Sequence, residues 1–564
     1  MMKPTRYNIS LLLAAAAALV TTYQAAAQID TEVKIRYEET PRLTEFNKLR
    51  LTPVLSLPKT EQASLPFSST NPSVTLPGNI ATLDPAGYAD TIYASPYRGY
   101  ASIGFMPRFN LGASAGYNIL NTDHTRLNAY FQYDGTSYRP DEMPKAIKQN
   151  TFTLGANVHQ AVGKHSFIDA ALDYTYSNYN TPLFDFERQS VNRFNASALW
   201  TYSTDNSVFG LGASYRRFSY GDAFYKPNYD EDLDPNEDMV NGHLFYCTTF
   251  NRNYSLRMNV DITHLGTSLR IPTRTVFGQP GYDKFSSTIL RAAPAFRITY
   301  SKSLLVDLGV GFEYDFGYAD RFSISPDVQI TWLPSRFFKL WGKATGGLRQ
   351  NSMSTLYEVS RFSPAWRAFE TSNIPVDAEV GLTLGAWRGL YAQASATFAR
   401  ANDWLMPYIG SSEGVTYKAC DLSGMKFMFK AGYAFRQWAE INASLEMAPN
   451  SKETRGYYLW RDRAKTVVNA DLTVRPVSDL EINLEWNFRS GRHTTADLRT
   501  DYGLEAYRIS LGTLNSFNAG ALYRITPQWS VFLRGENLFN HQSALIGLVP
   551  DQGRTGLAGV TYKF

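Results

Sequence analysis

From Tyr97 to the C terminus, apolar and polar positions alternate with a period of two. Over 304–318, Leu304, Val306, Leu308, Val310, Phe312, Tyr314, Phe316 and Tyr318 share one face; Leu305, Asp307, Gly309, Gly311, Glu313, Asp315 and Gly317 share the other. Over 480–489, Leu480, Ile482, Leu484, Trp486 and Phe488 alternate with Glu481, Asn483, Glu485, Asn487 and Arg489. Over 290–300, Leu290, Ala292, Phe296, Ile298 and Tyr300 alternate with Arg291, Ala293, Ala295, Arg297 and Thr299. Such alternation specifies strands with one apolar and one polar face. A soluble β-sandwich would show it too, so length decides. These runs hold 10–15 residues, whereas ordinary strands have about 5–6 and a bilayer needs about 9–11 tilted residues.

The connections alternate as well. Short ones, such as Asn121-Thr122-Asp123, Gly163-Lys164, Ser478-Asp479 and Pro527-Gln528, hold turn formers between two alternating runs. Between them lie longer segments, among them 220–238, 270–283, 351–374, 402–423, 450–463, 490–505 and 540–554. Short periplasmic turns and long outer loops are the plan of a bacterial outer-membrane barrel. Ten short turns join twenty strands; a first strand near 97–107 and a last at 555–564 bring the total to about 22. The fold expected is all-β: a transmembrane antiparallel β-barrel behind a short proline-rich periplasmic segment. Closure removes the open edge that lipid does not tolerate.

Composition agrees. Charged residues make up 19%, below the roughly 25% of soluble proteins. Aromatic residues make up 14%, and mean hydropathy is −0.29. That much apolar surface excludes disorder. Beyond the N terminus no apolar run approaches the roughly 18–20 residues of a spanning helix, which excludes a helical membrane protein. A net charge of +4 gives no argument for nucleic acid.

The first 27 residues read as an export signal: basic Lys3 and Arg6, the apolar run 11–20, and the small residues Ala25-Ala26-Ala27, with Gln28 opening the mature chain. Residues 28–96 hold eight prolines and no long periodic run, apart from the short alternation Val33–Tyr37. They are expected to be periplasmic or to fill the lumen. Cys247 and Cys420 could pair in an oxidising periplasm, but two scattered cysteines read more simply as separate small apolar residues.

The C terminus places Ala558, Val560, Tyr562 and Phe564 on one face, with an aromatic residue last. This resembles the terminal-strand signal read by the outer-membrane assembly machinery, which adds an unpaired edge strand to its own sheet. Upstream, Val531-Phe532-Leu533-Arg534-Gly535-Glu536-Asn537-Leu538-Phe539-Asn540 resembles the V-x-L-x-x-x-N-L-F-N segment that ends TonB-dependent receptor barrels. The resemblance implies a 22-stranded transport barrel in the outer membrane. It departs from the family ahead of the barrel. Only 69 mature residues stand where family receptors carry a far longer plug, so the likeness is to plug-less relatives.

No local catalytic motif appears. His124, His159, His165, His243, His264, His493 and His541 form no HExxH, and neither GxSxG nor a P-loop is present. The reading is therefore a non-enzyme without cofactor or resident metal. Asp230, Asp232 and Asp234 have the first spacings of a calcium loop, but Pro235 replaces its glycine and Asn241 its last carboxylate. The segment Asp230–Asp238 reads as a solvated acidic loop, with a looser calcium site as the alternative. Asp307, Glu313, Asp315, Glu481, Glu485 and Arg489 should face the lumen, together with Arg291, Arg297, Asp471 and Arg475. The loop aromatics Tyr357, Phe362, Trp366, Phe369, Trp404, Tyr408 and Tyr417 could pack over a wide mouth or meet a ligand. The leading function is a transport-related barrel, a solute channel or uptake component; the alternative is a scaffold or assembly component of an outer-membrane complex. A third reading is a nutrient receptor whose plug comes from another chain. Expected partners are the lipid bilayer, the assembly machinery and a periplasmic or surface lipoprotein.

Overall fold

In the computed structural model the described residues run from 97 to 564, apart from 107–109, 141–144, 181–187, 222–234, 252, 272–280, 302, 318–319, 362–369, 411–413, 449–463, 501–502, 544–549 and 551. The expectations for 1–96 lie outside them. The first strands are β1 (Gly99–Met106), β2 (Asn110–Asn121), β3 (Thr125–Tyr138), β4 (Ile147–Val162), β5 (Ser166–Tyr179), β6 (Gln189–Ser203) and β7 (Ser207–Gly221). Then come β8 (Asn236–Asn251), β9 (Tyr254–Ile271), β10 (Gly281–Ser301), β11 (Leu304–Gly317), β12 (Arg321–Ser335) and β13 (Phe338–Arg349). A short helix, α1 (Met353–Val359), leads to β14 (Ser372–Trp387), β15 (Leu390–Gly410), β16 (Gly414–Phe435), β17 (Ala439–Met447) and β18 (Thr466–Val477). The last are β19 (Leu480–Thr500), β20 (Gly503–Arg524), β21 (Trp529–Glu536) and β22 (Thr555–Lys563). The ten short turns fall between even strands and the odd strands that follow them, as the alternation predicts.

Every strand pairs antiparallel with its successor, and β1 pairs with β22 from Tyr100↔Lys563 to Phe105↔Ala558. The sheet is therefore a closed 22-stranded barrel. Its faces are assigned by exposure. On β11, Leu308, Val310, Phe312 and Phe316 are 39–50% exposed, whereas Asp307, Glu313 and Asp315 are at most 3% exposed. An outer surface of large apolar side chains around a polar interior is the inverse of a soluble protein. It matches the lipid belt of a membrane barrel. At the rim that carries the short turns, Trp529 and Tyr562 pack 4.5 Å apart, and Phe435 and Trp438 5.0 Å apart. They form part of an aromatic girdle.

Two expected loops are corrected. Residues 402–423 and 490–505 are mostly strand, the outer ends of the β15–β16 and β19–β20 hairpins. Above the membrane no lipid enforces an apolar face, so polar runs such as Arg492-His493-Thr494-Thr495 pair without the alternation that marks the spanning segments. Asn236–Asp238, read as the end of an acidic loop, belongs to β8.

The seam is sealed from inside. Phe532 on β21 pairs with Gly559 on β22, which pairs with Gly104 on β1. A Cβ on Gly104 would stand 2.9 Å from the Phe532 ring and from Leu557. The ring thus lies across two bare glycines and covers three strands. Chain ends complete the closure: Gly99 donates to Phe564 O (2.9 Å) and Phe564 N donates to Gly99 O (3.0 Å). Ala558, Val560, Tyr562 and Phe564 occupy the outer face of this last stretch, with Phe564 stacked on Tyr117 at 6.0 Å.

Candidate functional site

The lumen wall has two unlike arcs. Along β9–β12 its described carboxylates are engaged within the wall. Arg297 makes a two-pronged contact with Asp307 (2.6 and 2.8 Å), Arg257 meets Asp327 at 3.0 Å, and Arg291 lies 3.2 Å from Glu313. Asp315 accepts from Ser287 (2.6 Å) and from Thr371. The Gly346-Gly347 bulge of β13 turns the Leu348 amide onto Glu313, where any side chain at Gly347 would collide with the carboxylate.

Along β17–β21 the wall is polar and open. Glu481 accepts from Arg475 (2.9 Å) and Asn483 (3.2 Å), Glu485 from Asn487 (2.9 Å) and Asn518 (3.2 Å), and Asp471 from Asn442 (3.0 Å). Arg489 is exposed. Sequence placed all six predicted charges on one wall; the structure divides them. Asp307, Glu313 and Asp315 are buried brackets, whereas Glu481, Glu485 and Arg489 remain accessible to water or a ligand.

Above the lumen, residues 350–361, with α1 at their centre, form a strap, and 370–371 lead into β14. Ser352 caps α1, its Oγ accepting from Thr355 N (3.1 Å). Glu237 on β8 accepts from Met353 N at 2.5 Å. Met353 and Leu356 are buried, and Met353 joins Ile147, Tyr179, Val191, Phe218, Tyr220 and Val415 in one apolar cluster. Tyr357 packs on that cluster; burial pushes its phenol up, against the opposing pull of Arg361 and Arg193. Tyr417 Oη donates to Leu356 O at 2.9 Å, and Tyr179 Oη donates to Arg361 O. Asn351 and Arg321 hold the far end through Glu370 O (2.6 Å) and Thr371 O (3.3 Å).

Tyr179 stands on β5 and Tyr417 on β16, half a circuit apart in a 22-stranded ring. One short helix touches both because the β15–β16 hairpin continues past its neighbours. β17 has nine residues, while β15 and β16 have 21 and 22. Over the short strands, Ile409 of β15 meets Ala496 of β19 in a parallel bridge. The hairpin is buried on both faces: Val415 and Tyr417 lie on α1, and Met406, Cys420 and Leu422 form a second cluster with Trp404 and Ala401. Of the predicted mouth aromatics, Tyr357, Trp404 and Tyr417 therefore pack the strap and hairpin. Phe362, Trp366 and Phe369 lie outside the described residues, as does Tyr408's side chain.

The receptor-like motif also gains a physical meaning. Asn537 and Asn540 take left-handed φ values of 46° and 54°, which asparagine tolerates better than most residues. Asn537 accepts from His541 N (3.2 Å) and donates to Gln552 O (3.1 Å), and Asn540 accepts from Arg554 N (2.8 Å). The two amides clamp the base of the β21–β22 loop. Tyr138 (3.1 Å to Pro550 O) and Gln552 (3.3 Å to Asn110) tie that loop to the barrel beside a cavity of about 1290 Å³.

Residues 230–234 of the acidic segment lie outside the described residues. Glu237 and Asp238 are engaged, Asp238 with Tyr215 (2.6 Å) and Arg217 (3.3 Å). Among the described residues no group of three or more His, Cys, Asp or Glu side chains is placed to hold a metal ion. His159 pairs with Asp169 at 2.6 Å and His243 with Asp261 at 2.5 Å across neighbouring strands, contacts that single-sequence reading missed. Cys247 and Cys420 are free thiols, so the disulfide alternative does not hold.

No protein-family model matches this chain, and no curated protein matches it by sequence. Solved structures do match. The siderophore receptor PirA from Acinetobacter baumannii superposes with a TM-score of 0.64 at 13% identity, over 83% of this chain and 80% of that one. A mutant of the ferric enterobactin receptor PfeA from Pseudomonas aeruginosa gives 0.64 at 11%, over 83% and 80%. The ferripyoverdine receptor of the outer membrane of Pseudomonas aeruginosa gives 0.62 at 10%, over 84% and 72%. At such identity the likeness is one of fold. The fold is that of these receptors, and with its apolar belt and girdle the barrel sits in the outer membrane.

Proposed function

We propose that the chain is a transport-related barrel that passes a solute through its lumen, with the strap 350–361 and the β15–β16 hairpin as its outer gate. One observation carries this reading: the mouth is bridged by α1, while the β17–β21 wall beneath stays polar and open. A lumen built only as scaffold has no use for a hydrated arc. The fold neighbours, named as siderophore receptors, support the transport class without specifying a substrate.

Residues 28–96 enter as the inner barrier. Their partners would be Glu481, Glu485 and Arg489, because Asp307 and Glu313 already hold arginines. Ala558, Val560, Tyr562 and Phe564 serve as the strand by which the assembly machinery takes up the barrel, and a lipoprotein at either rim completes the uptake system. The chain acts without TonB-driven plug movement and without catalysis.

The test is planar-bilayer conductance of four forms: wild type, a deletion of 28–90 behind the signal, a deletion of the strap 353–361, and both. Each single deletion should raise conductance modestly, and the double deletion should give the large steps of an open 22-stranded pore. A folded double deletion that does not conduct overturns the transport reading and leaves the scaffold, whose closed mouth the strap's many anchors would equally suit.

A further inference from the structure

Beneath the β15–β16 hairpin, a cavity of about 350 Å³ opens in the lumen wall between β13 and β18. Its floor comes from register. Asp377 pairs with Ala399 and Ala399 with Gly424, so two very small residues follow the carboxylate on the same face and leave a hollow. Ala401 and Leu422 continue the hollow as an apolar pocket. Trp404 closes one side, and the Arg349 guanidinium stands 4.6 Å over its ring. That occupied face is not available to stack a sugar.

The carboxylate is the unusual element. Asp377 is half-buried and, among the described residues, makes no hydrogen bond and no ion pair. Every other acid named on this wall has a partner; even Glu446, across the cavity, keeps Lys426 at 3.8 Å. A half-buried carboxylate without a protein partner is open to a ligand's donor, and a positively charged N–H donor makes the strongest hydrogen bond it can accept. A single such carboxylate beside an apolar hollow does not make a divalent-cation site, which needs several oxygen ligands. It suits one ammonium head and a short aliphatic body.

We propose that this cavity binds a primary ammonium compound with a short apolar group, the head on Asp377 and the body on Ala399, Ala401 and Leu422. The ligand is recognised by its ammonium, which a free amino acid and a simple alkylamine share. Lys426 at the rim would read the carboxylate of the former.

The experiment is calorimetric titration of the full-length, detergent-solubilised protein with butylamine, leucine and isovalerate. Saturable binding of an amine is expected, weakened at least tenfold in Asp377→Asn and unchanged in Asp169→Asn, whose carboxylate already pairs with His159. Ala399→Leu, which fills the hollow without touching the charge, should abolish it; heat-modifiable migration shows whether each variant is folded. Leucine binding more tightly than butylamine identifies an amino acid as the source, and the reverse order identifies a simple amine. Tighter binding of isovalerate, undiminished amine binding in folded Asp377→Asn, or no amine binding to wild type overturns the proposal. Binding is read at equilibrium without conductance, so its failure leaves the transport reading standing and its success does not depend on that reading.

Discussion

Replacing Gly559 by alanine should damage the barrel more than any comparable change on the same inner face. The added Cβ would collide with Ile103 O and the Phe532 ring and stand 2.6 Å from Gly104 Cα. Two of these three obstacles are backbone of the closing pair, so relief requires β1 and β22 to separate. Overpacking costs about 1–3 kcal/mol where side chains can shift. With backbone in the way the upper part of that range applies, about 2–3 kcal/mol, or a roughly 30- to 150-fold loss in the folded-to-unfolded ratio. Gly520, on the inner face of β20, is the control. A Cβ there would find nothing nearer than Leu533 O at 3.8 Å. Gly520→Ala should be neutral or stabilising by about 0.4–1 kcal/mol, since alanine reduces the freedom of the unfolded chain. Urea titration in detergent, followed by heat-modifiable gel migration, gives both midpoints. Adding Phe532→Leu to Gly559→Ala should recover only part of the loss, because Ile103 O remains. Equal midpoints for Gly559→Ala and Gly520→Ala would refute a seam closed over bare glycines.

The remaining predictions use the same assay or a close relative. Leu484→Lys, on the lipid face, should lose about 2–4 kcal/mol near the bilayer midplane, whereas Asn483→Lys, on the lumen face, should fold; equal assembly of the two would mean a wrong register. Phe564→Ala removes a ring stacked on Tyr117 and Tyr562, and assembled protein in outer membranes should fall; unchanged amounts would dismiss the terminal ring as a signal. Tyr417→Phe deletes the bond to Leu356 O, which is worth about 0.5–1.5 kcal/mol. Amide exchange over 353–359 should accelerate severalfold, and exchange at the wild-type rate would show that the hairpin does not hold the strap.

Most of the barrel was legible because lipid enforces it. On β11 each residue meets either hydrocarbon or water, so Leu308, Val310 and Phe312 cannot trade places with Asp307 or Gly309 without a cost in transfer free energy. The constraint ends at the membrane surface, and so does the legibility: β15 beyond Ala401 and β19 beyond Arg489 kept their pairing but lost the alternation. The strap was hidden for another reason. Tyr417 reaches Leu356 over 61 positions and Glu237 reaches Met353 over 116, and no local pattern announces such contacts. The Asn537–Asn540 motif could be recognised from sequence, but its left-handed turns and crossed amide bonds required coordinates.

The predicted lumen charges mark the same boundary in chemical terms. Periodicity says which side a side chain faces and nothing of whom it meets there. Arg297 and Asp307 pair across two strands, as do Arg291 and Glu313, so on that arc opposite charges sit in register and neutralise one another. On the arc of β17–β21 Arg475 neutralises Glu481, but the donors on Glu485 and Asp471 are the amides of Asn487, Asn518 and Asn442, which share the carboxylates without neutralising them. A wall of the first kind stiffens the barrel and offers a solute little; a wall of the second kind keeps water and can exchange its hydrogen bonds for those of a passing ligand. Among the described residues the strap is anchored chiefly to β4–β12, the side containing the ion-paired wall, and it meets β16 through Tyr417 and Val415. In the proposed gate, opening would part the Tyr417 and Val415 contacts while Glu237, Asp315 and Arg321 hold the other end. The proposed uptake role would use that asymmetry, with a cover fixed on the ion-paired side that lifts over the wet one.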